Sequence, residues 1–344
     1  MGIMTKKKKL AQPPAPVVVH EAYKDRVNLE KLRALRVRRR YSPENDVTLY
    51  PGDCRVLLKK LQLVGAKAKL VLTSPPYNIG KVYERHSRTS VAQYVKDQSE
   101  IIQHCADILD KNGSICWQVG NHVVDGYIQP LDILLYQSFI DAGFVLRNRV
   151  IWHSEHGKNR VHSLSGRYET LLWFTRKGAD YTFNLDPIRV PQKYPGKKAY
   201  RGPRKGEYLS NPKGKNPGDV WIFPNVKQNH PEKTSEHPCQ FPFELVERVV
   251  LALTNPKDLV IDPFMGVGTT ALGAAFFGRR FAGAEIVRTY LEKAEARLED
   301  LKSGVLRVRR MNTPVHEPSG KLTIPPWEQD PSVLLATPDR SAAR

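Results

Sequence analysis

Between residues 47 and 175, and again between 241 and 303, short apolar runs alternate with longer amphipathic stretches, and this alternation limits the possible folds more than any other feature. The runs Val47–Tyr50, Leu70–Thr73, Ser114–Val119, Val145–Trp152, Thr170–Phe174, Leu259–Ile261 and Phe281–Ala284 read as strands. The stretches Cys54–Leu63, Val91–Leu109, Ile128–Ala142, Phe243–Thr254, Thr269–Phe277 and Val287–Lys302 read as helices. In the last of these Leu291, Ala294, Leu298 and Leu301 recur at helical spacing. Such alternation predicts an α/β fold with a largely parallel sheet covered on both faces. Ligands of such sheets bind beyond the carboxyl ends of the strands, so the residues that follow each strand carry the chemistry. No internal repeat is present.

Two strand ends stand out. The apolar run Leu70-Val71-Leu72-Thr73 enters Ser74-Pro75-Pro76-Tyr77 without a break. Proline cannot donate to a sheet ladder and restricts the residue before it, so the chain leaves the sheet in a stiff extended turn. That turn carries a hydroxyl at Ser74, a carbonyl with no competing amide at Pro75, and a flat ring at Tyr77. The second strand end is Val260-Ile261-Asp262-Pro263-Phe264-Met265-Gly266-Val267-Gly268-Thr269-Thr270. Its glycines let a ligand approach the backbone closely at a helix N-terminus, a place that favours negative charge. No Lys follows them, which excludes a nucleoside-triphosphate P-loop. Alone, this loop would also suit a nicotinamide oxidoreductase, with Glu285 on a ribose, but that reading leaves Ser-Pro-Pro-Tyr and the basic charge unexplained.

Taken together, the two motifs resemble the DNA amino-methyltransferases, whose catalytic segment reads [Ser/Asp/Asn]-Pro-Pro-[Tyr/Phe] and whose cofactor segment reads Asp-Pro-Phe-x-Gly-x-Gly-Thr-Thr. Ser74 to Tyr77 and Asp262 to Thr270 match both without a gap. The catalytic segment comes first, as in the permuted beta class. Gly52-Asp53, Asn216-Pro217-Gly218-Asp219-Val220-Trp221, Glu232-Lys233-Thr234 and His237-Pro238-Cys239-Gln240-Phe241-Pro242 agree as well, so the resemblance spans roughly residues 47–300. It implies a Rossmann-like S-adenosylmethionine-dependent methyltransferase fold with permuted motif order and a loop-rich target-recognition insert.

The resemblance implies a division into a basic N-terminal arm (1–46), a catalytic half (47–175), a target-recognition region (176–233), a cofactor-binding half (234–303) and a C-terminal tail (304–344). The cofactor it implies is S-adenosyl-L-methionine, with Asp262, Phe264, Gly266 and Gly268 at the methionine end, Glu285 at the ribose and Asp53 at the adenine. Thr269 lies in the same segment and also suits a helix cap; His237, with Lys233, is expected to meet the cofactor carboxylate or to serve as a structural histidine. Ser74, Pro75, Pro76 and Tyr77 are the implied catalytic set. Ser before Pro-Pro accompanies N4-cytosine methylation in the family, whereas Asp or Asn accompanies N6-adenine methylation, which is carried as the alternative. The target base is stacked in the duplex and must be flipped out, with Tyr77 as the ring expected to stack on it.

Charge points to the same partner. The chain has 54 Lys+Arg against 35 Asp+Glu, a net +19, and a polyanion is the natural partner of such a chain. The excess is local: residues 1–50 carry +7 and 176–233 carry +8, whereas 234–303 carry −2. Segment 176–233 interleaves its cations with Tyr181, Tyr194, Tyr200, Tyr208 and Trp221. Arg201, Arg204, Lys205, Lys213 and Lys215 are the candidate contacts to double-stranded DNA. A homodimer and a cognate restriction endonuclease are open partners. No run approaches a membrane span, and Cys54, Cys105, Cys116 and Cys239 are too scattered for a disulfide framework, so a cytoplasmic, nucleoid-associated protein is expected. His153 and His156 have metal-like spacing but no companions, so no metal is expected and Trp152–Arg160 reads as a DNA-facing loop.

Overall fold

The computed structural model describes residues 29–77, 89–124, 126–154, 160–227, 230–234, 237 and 239–314, apart from the side chains of His122 and Val124. The first 28 residues of the basic arm, residues 155–159 of the expected DNA-facing loop, Pro238, and the tail beyond Pro314 lie outside them.

In chain order the elements are α1 (Leu29–Arg33), β1 (Val37–Arg38), β2 (Val47–Pro51), α2 (Cys54–Leu63), β3 (Ala68–Thr73), α3 (Val91–Ile108), β4 (Leu109–Val119), β5 (Asn121–Val124) and β6 (Tyr127–Pro130). There follow α4 (Leu131–Asp141), β7 (Phe144–His153), β8 (Tyr168–Arg176), β9 (Val220–Ile222), α5 (Phe243–Leu253), β10 (Leu259–Asp262), α6 (Thr269–Phe276), β11 (Arg280–Glu285) and α7 (Arg288–Ser303). Among the described residues nine strands form one sheet in the order β1-β2-β11-β10-β3-β4-β8-β7-β9, and β5 and β6 form a separate hairpin. β8 is antiparallel to both its neighbours and every other pair in the large sheet is parallel. The expected largely parallel α/β sheet is present. β7 and β8 pair antiparallel, and the described residues of the connection between them form no crossover helix.

Side chains alternate across each strand, and the core divides accordingly. On β3, Leu70 and Leu72 face the layer of α5, α6 and α7, while Val71 faces that of α2, α3 and α4. Trp117 of β4 packs edge-on against Phe139 of α4 at 5.7 Å, and Phe139 stacks on Phe174 of β8 at 4.2 Å. This aromatic stack anchors the layer of α2, α3 and α4 to the middle of the sheet.

Two sequence readings are corrected. The helix expected over Ile128–Ala142 begins only at Leu131, because Ile128 to Pro130 pair with Asn121 to Val123 in the β5–β6 hairpin. Pro130 ends that strand and lacks the amide an interior helical position needs. Within the loop-rich insert, Val220–Ile222 forms an edge strand on β7. Its three residues are too few to show a period in sequence.

The described end of the chain is not loose. Val308 and Met311 are buried in the α5–α7 layer, and two arginines run onto α5. Arg309 pairs with Glu244, and Arg310 holds Glu247 through Nε at 2.9 Å and Nη2 at 2.6 Å. Glu247 is fully buried and also accepts from the Met311 amide at 2.9 Å. Removing one member of such a pair strands a charge in the core, whereas replacing both with apolar residues does not. Arg310→Met is expected to lower unfolding free energy by about 3–5 kcal/mol, and Arg310→Met with Glu247→Leu to recover most of that loss, read by denaturant titration. Equal stabilities for the single and double variants would contradict the pairing.

Candidate active site

The carboxyl ends of β2, β11, β10 and β3 lie side by side and open into one cleft of about 920 Å³, its mouth included. That size falls in the range of small-molecule sites. Its wall brings together Asp53, Ser74 to Tyr77, His237, Cys239, Phe264, Gly266, Glu285 and Tyr290. The two strand-end motifs, 185 residues or more apart in sequence, thus share one wall.

Asp262 is not part of that wall. It is 1% exposed and sits behind it, accepting from Thr73 Oγ1 at 2.5 Å, Thr270 Oγ1 at 2.7 Å and the Phe264 amide at 3.1 Å. Burial pushes its carboxyl up to about 6, against the pull of these donors. Gly268 and Thr269 also lie off the wall. Gly268 caps α6 at φ +78°, and a Cβ there would stand 2.8 Å from Ala294 Cβ on α7. Thr269 accepts from Arg297 Nη1 at 3.2 Å, and the same nitrogen donates to the Val267 carbonyl at 2.8 Å, so Arg297 supports the glycine loop from beneath.

Gly266, like Phe264, faces the cleft. Its φ is +51°, and a Cβ would come within 2.9 Å of His237 Nε2. Its amide donates to Glu285 Oε2 at 2.9 Å, and the Val287 amide donates to Oε1 at 2.7 Å. Burial still raises Glu285 to about 7. His237 packs on Tyr290 with ring centroids 4.8 Å apart, and burial, with Lys233 and Arg297 nearby, lowers it to about 4. It therefore faces the cleft as a neutral ring and not as a cation. Lys233 Nζ donates to the His237 carbonyl at 3.3 Å. Asp53 caps α2 through the Arg55 amide at 2.7 Å and pairs with the Arg55 guanidinium at 3.1 Å.

At the end of β3, Ser74 Oγ lies 3.0 Å from Tyr77 Oη. Tyr77 is 8% exposed, and its hydroxyl donates toward Gln118 Oε1 at 2.8 Å and Glu169 Oε2 at 2.9 Å. Gln118 Nε2 donates to that same Glu169 oxygen. Sequence reading missed both partners, although a Glu inside Tyr168-Glu169-Thr170-Leu171-Leu172 is a polar residue in an otherwise apolar strand.

The basic candidates lie away from the cleft. Val190 bridges Lys215 and Lys198 bridges Tyr208, so residues 190–215 fold back on themselves as an arm. Arg201 lies over the Tyr200 ring at 5.8 Å, Arg204 pairs with Glu207 at 2.8 Å, Lys213 pairs with Asp186, and Lys205 and Lys215 are exposed. Trp152 is buried and donates to the Phe223 carbonyl at 2.9 Å. Among the described residues no cluster of His, Cys, Asp or Glu is arranged to hold a metal ion. None of their helices is long and apolar enough to cross a membrane.

These buried groups set a pH dependence. Glu232, Glu244 and Glu285 lie at about 7, 8 and 7 in the folded protein, above their unfolded values, so the stability they contribute is lost as pH rises through those values. His230 and His237, lowered to about 4, oppose this trend only below the unfolded histidine pKa of about 6.5. Thermal melting temperature is expected to fall between about pH 6.5 and 8, and Glu285→Gln to flatten that slope. A melting temperature that rises across this window would contradict the assignment.

The cleft fits the cofactor implied by the sequence. A carboxylate at a strand end suits a ribose diol, and the absence of a Cβ at Gly266 leaves space beside it. Residues 68–296 match the DNA methylase family of N6/N4 methyltransferases. Over 247 residues the chain is 48% identical to the Type II methyltransferase M.BglII of Bacillus subtilis, covering 72% of this chain and 67% of that one. The fold matches PvuII DNA methyltransferase (cytosine-N4-specific) with a TM-score of 0.57 at 19% identity, over 78% of this chain and 96% of that one. It also matches a DNA modification methylase from Thermus thermophilus, solved in complex with S-adenosyl-L-methionine, with a TM-score of 0.52 at 22% identity, over 82% of this chain and all of that one. The chain belongs to the S-adenosylmethionine-dependent DNA amino-methyltransferase family.

Proposed function

We propose that this protein is a beta-class, site-specific DNA methyltransferase acting on the N4 amino group of cytosine in duplex DNA. The observation that carries the reading is Ser74, a half-buried hydroxyl at the rim of β3, placed on the same cleft wall as Gly266 and Glu285. When bound, S-adenosylmethionine supplies an electrophilic sulfonium methyl group. Glu285 and Gly266 would hold its ribose side, Phe264 and the glycine loop its methionine side, and Asp53 its adenine.

The amino nitrogen of cytosine is a poor nucleophile because its lone pair is delocalised into the ring. Ser74 Oγ and the Pro75 carbonyl each accept hydrogen bonds, and accepting both amino hydrogens holds the nitrogen nearer tetrahedral with its lone pair free. The gain comes from positioning and a preset field, with no covalent enzyme intermediate. Prolines at 75 and 76 fix where the two acceptors sit. Tyr77 enters this scheme as a ring already fixed in place by its hydroxyl, against which an everted base would settle.

Sequence recognition falls to the arm at 190–215, where Arg201 and Lys205 have no carboxylate partner among the described residues and stand beside exposed Tyr194, Tyr200 and Tyr208. Cations interleaved with rings suit phosphates and base edges. Arg204 and Lys213 would exchange Glu207 and Asp186 for DNA. The likeness to a Type II methyltransferase supports a restriction–modification setting with a cognate endonuclease as partner.

Duplex DNA incubated with the protein and labelled S-adenosylmethionine, then digested to nucleosides, is expected to yield N4-methylcytosine. Ser74→Ala is expected to lower kcat by about 10²-fold or more. N6-methyladenine as the product would overturn the choice of base.

A further inference from the structure

We propose that Glu169 is a positioning residue that fixes the direction of the hydrogen bonds running through Tyr77 to Ser74, and so makes Ser74 an acceptor toward the target amine. The inference rests on the reading of Ser74 given above.

The Tyr77 phenol has a single hydrogen, and burial, with the Glu169 charge beside it, keeps that hydrogen in place. Two acceptors face it, Gln118 Oε1 at 2.8 Å and Glu169 Oε2 at 2.9 Å. An amide has both an acceptor and a donor end, so Gln118 faces Tyr77 with its oxygen only if something holds its nitrogen elsewhere. Glu169 does this: its Oε2 accepts from Gln118 Nε2. Burial raises the Glu169 carboxyl above the usual carboxylate range, against the hydrogen bonds from Tyr77 and Gln118 that favour its charge; in its ionised form it has lone pairs and no proton to give. Tyr77 must therefore donate away from Ser74, toward the Gln118–Glu169 pair. Its oxygen keeps a lone pair for Ser74, 3.0 Å away. Ser74 then spends its only hydrogen on Tyr77, and its own lone pairs are left facing the cleft.

The surroundings are shaped for this arrangement. A Cβ at Gly120 would lie 3.0 Å from Tyr77 Cε2 and 3.7 Å from Glu169 Cδ, so glycine there lets ring and carboxylate meet. Gln118 is 1% exposed, so water does not compete for its amide. The three residues come from three neighbouring places in the sheet: the end of β3, the end of β4 and the start of β8. β8 is the reversed strand, and its reversal is what brings an N-terminal residue to the edge where the other strands end.

Without an acceptor at 169, Gln118 is free to turn its amide nitrogen toward Tyr77. Tyr77 then donates to Ser74, and Ser74 turns its hydrogen toward the cleft, where it opposes the amino hydrogens of the base. Glu169→Leu is expected to lower single-turnover kcat by about 10²-fold, while KM for DNA and for S-adenosylmethionine changes by less than about threefold. Glu169→Gln keeps an oxygen at the same place and is expected to recover most of the lost kcat. In a Tyr77→Phe background Glu169→Leu is expected to add nothing, because the chain of bonds is already cut.

Full kcat in Glu169→Leu, or Glu169→Gln no better than Glu169→Leu, would overturn the proposal. If Glu169→Leu fails to fold by thermal melting, Tyr77→Phe alone decides: it keeps the buried ring, and unchanged kcat in that variant would also overturn the proposal. Failure of the underlying reading looks different, because Ser74→Ala would then retain activity or the product nucleoside would not be N4-methylcytosine.

Discussion

The carboxylate of Asp262 is the point on which the site depends. It collects a hydroxyl from Thr73 on β3, a hydroxyl from Thr270 on α6 and the amide of Phe264 from the intervening loop. A buried carboxylate is costly unless its lone pairs are filled, so the three donors are constrained to meet at one place. Thr73 immediately precedes Ser74, and Phe264 opens the glycine loop. The strand end proposed to hold the methyl acceptor and the loop proposed to hold the methyl donor thus meet at one oxygen, Asp262 Oδ1, while Oδ2 holds the start of α6.

Around this tie the molecule adds a second set of supports. Arg297 of α7 holds the Val267 carbonyl and Thr269 from below the loop. Glu232 accepts from the Phe243 amide and from the Arg309 amide, both at 2.9 Å, and so joins the loop that carries His237 to the C-terminal segment. Arg309 and Arg310 then fix that segment to α5. The glycine loop and the His237 loop, which enclose the cleft from two sides, owe their positions to residues that never reach it. This explains why the site contains several carboxyls raised by burial: Asp262 and Glu232 serve the architecture, and Glu285 faces the ligand space.

Much of this was legible in the sequence because it is carried by local pattern. Helical periodicity located α2, α3 and α5 to α7, and the prolines and glycines at 75, 76, 266 and 268 marked the two strand ends. Their sharing of one cleft followed from a parallel sheet. What escaped was set by contacts distant in sequence. Asp262 reads as a ligand in the motif and is a buried tie in the fold; His237, read as a carboxylate contact or as a structural histidine, is a neutral packed ring on the cleft wall. Gln118 and Glu169 are separated from Tyr77 by 41 and 92 residues, so nothing local connects them. The hairpin before α4 and the short strand β9 were hidden because neither is long enough to show a period.

The central claim is that the donor and acceptor halves of the site act as one unit through Asp262. Thr73→Val tests it most directly, since it removes one hydrogen bond between β3 and Asp262 and replaces no residue on the cleft wall. Leaving a lone pair of a buried carboxylate empty costs about 1–3 kcal/mol. The account expects S-adenosylmethionine affinity, measured by calorimetry on the folded variant, to weaken by about fivefold or more, together with a loss of kcat. Unchanged cofactor affinity with a loss of kcat alone would show that the two halves are independent and would contradict it.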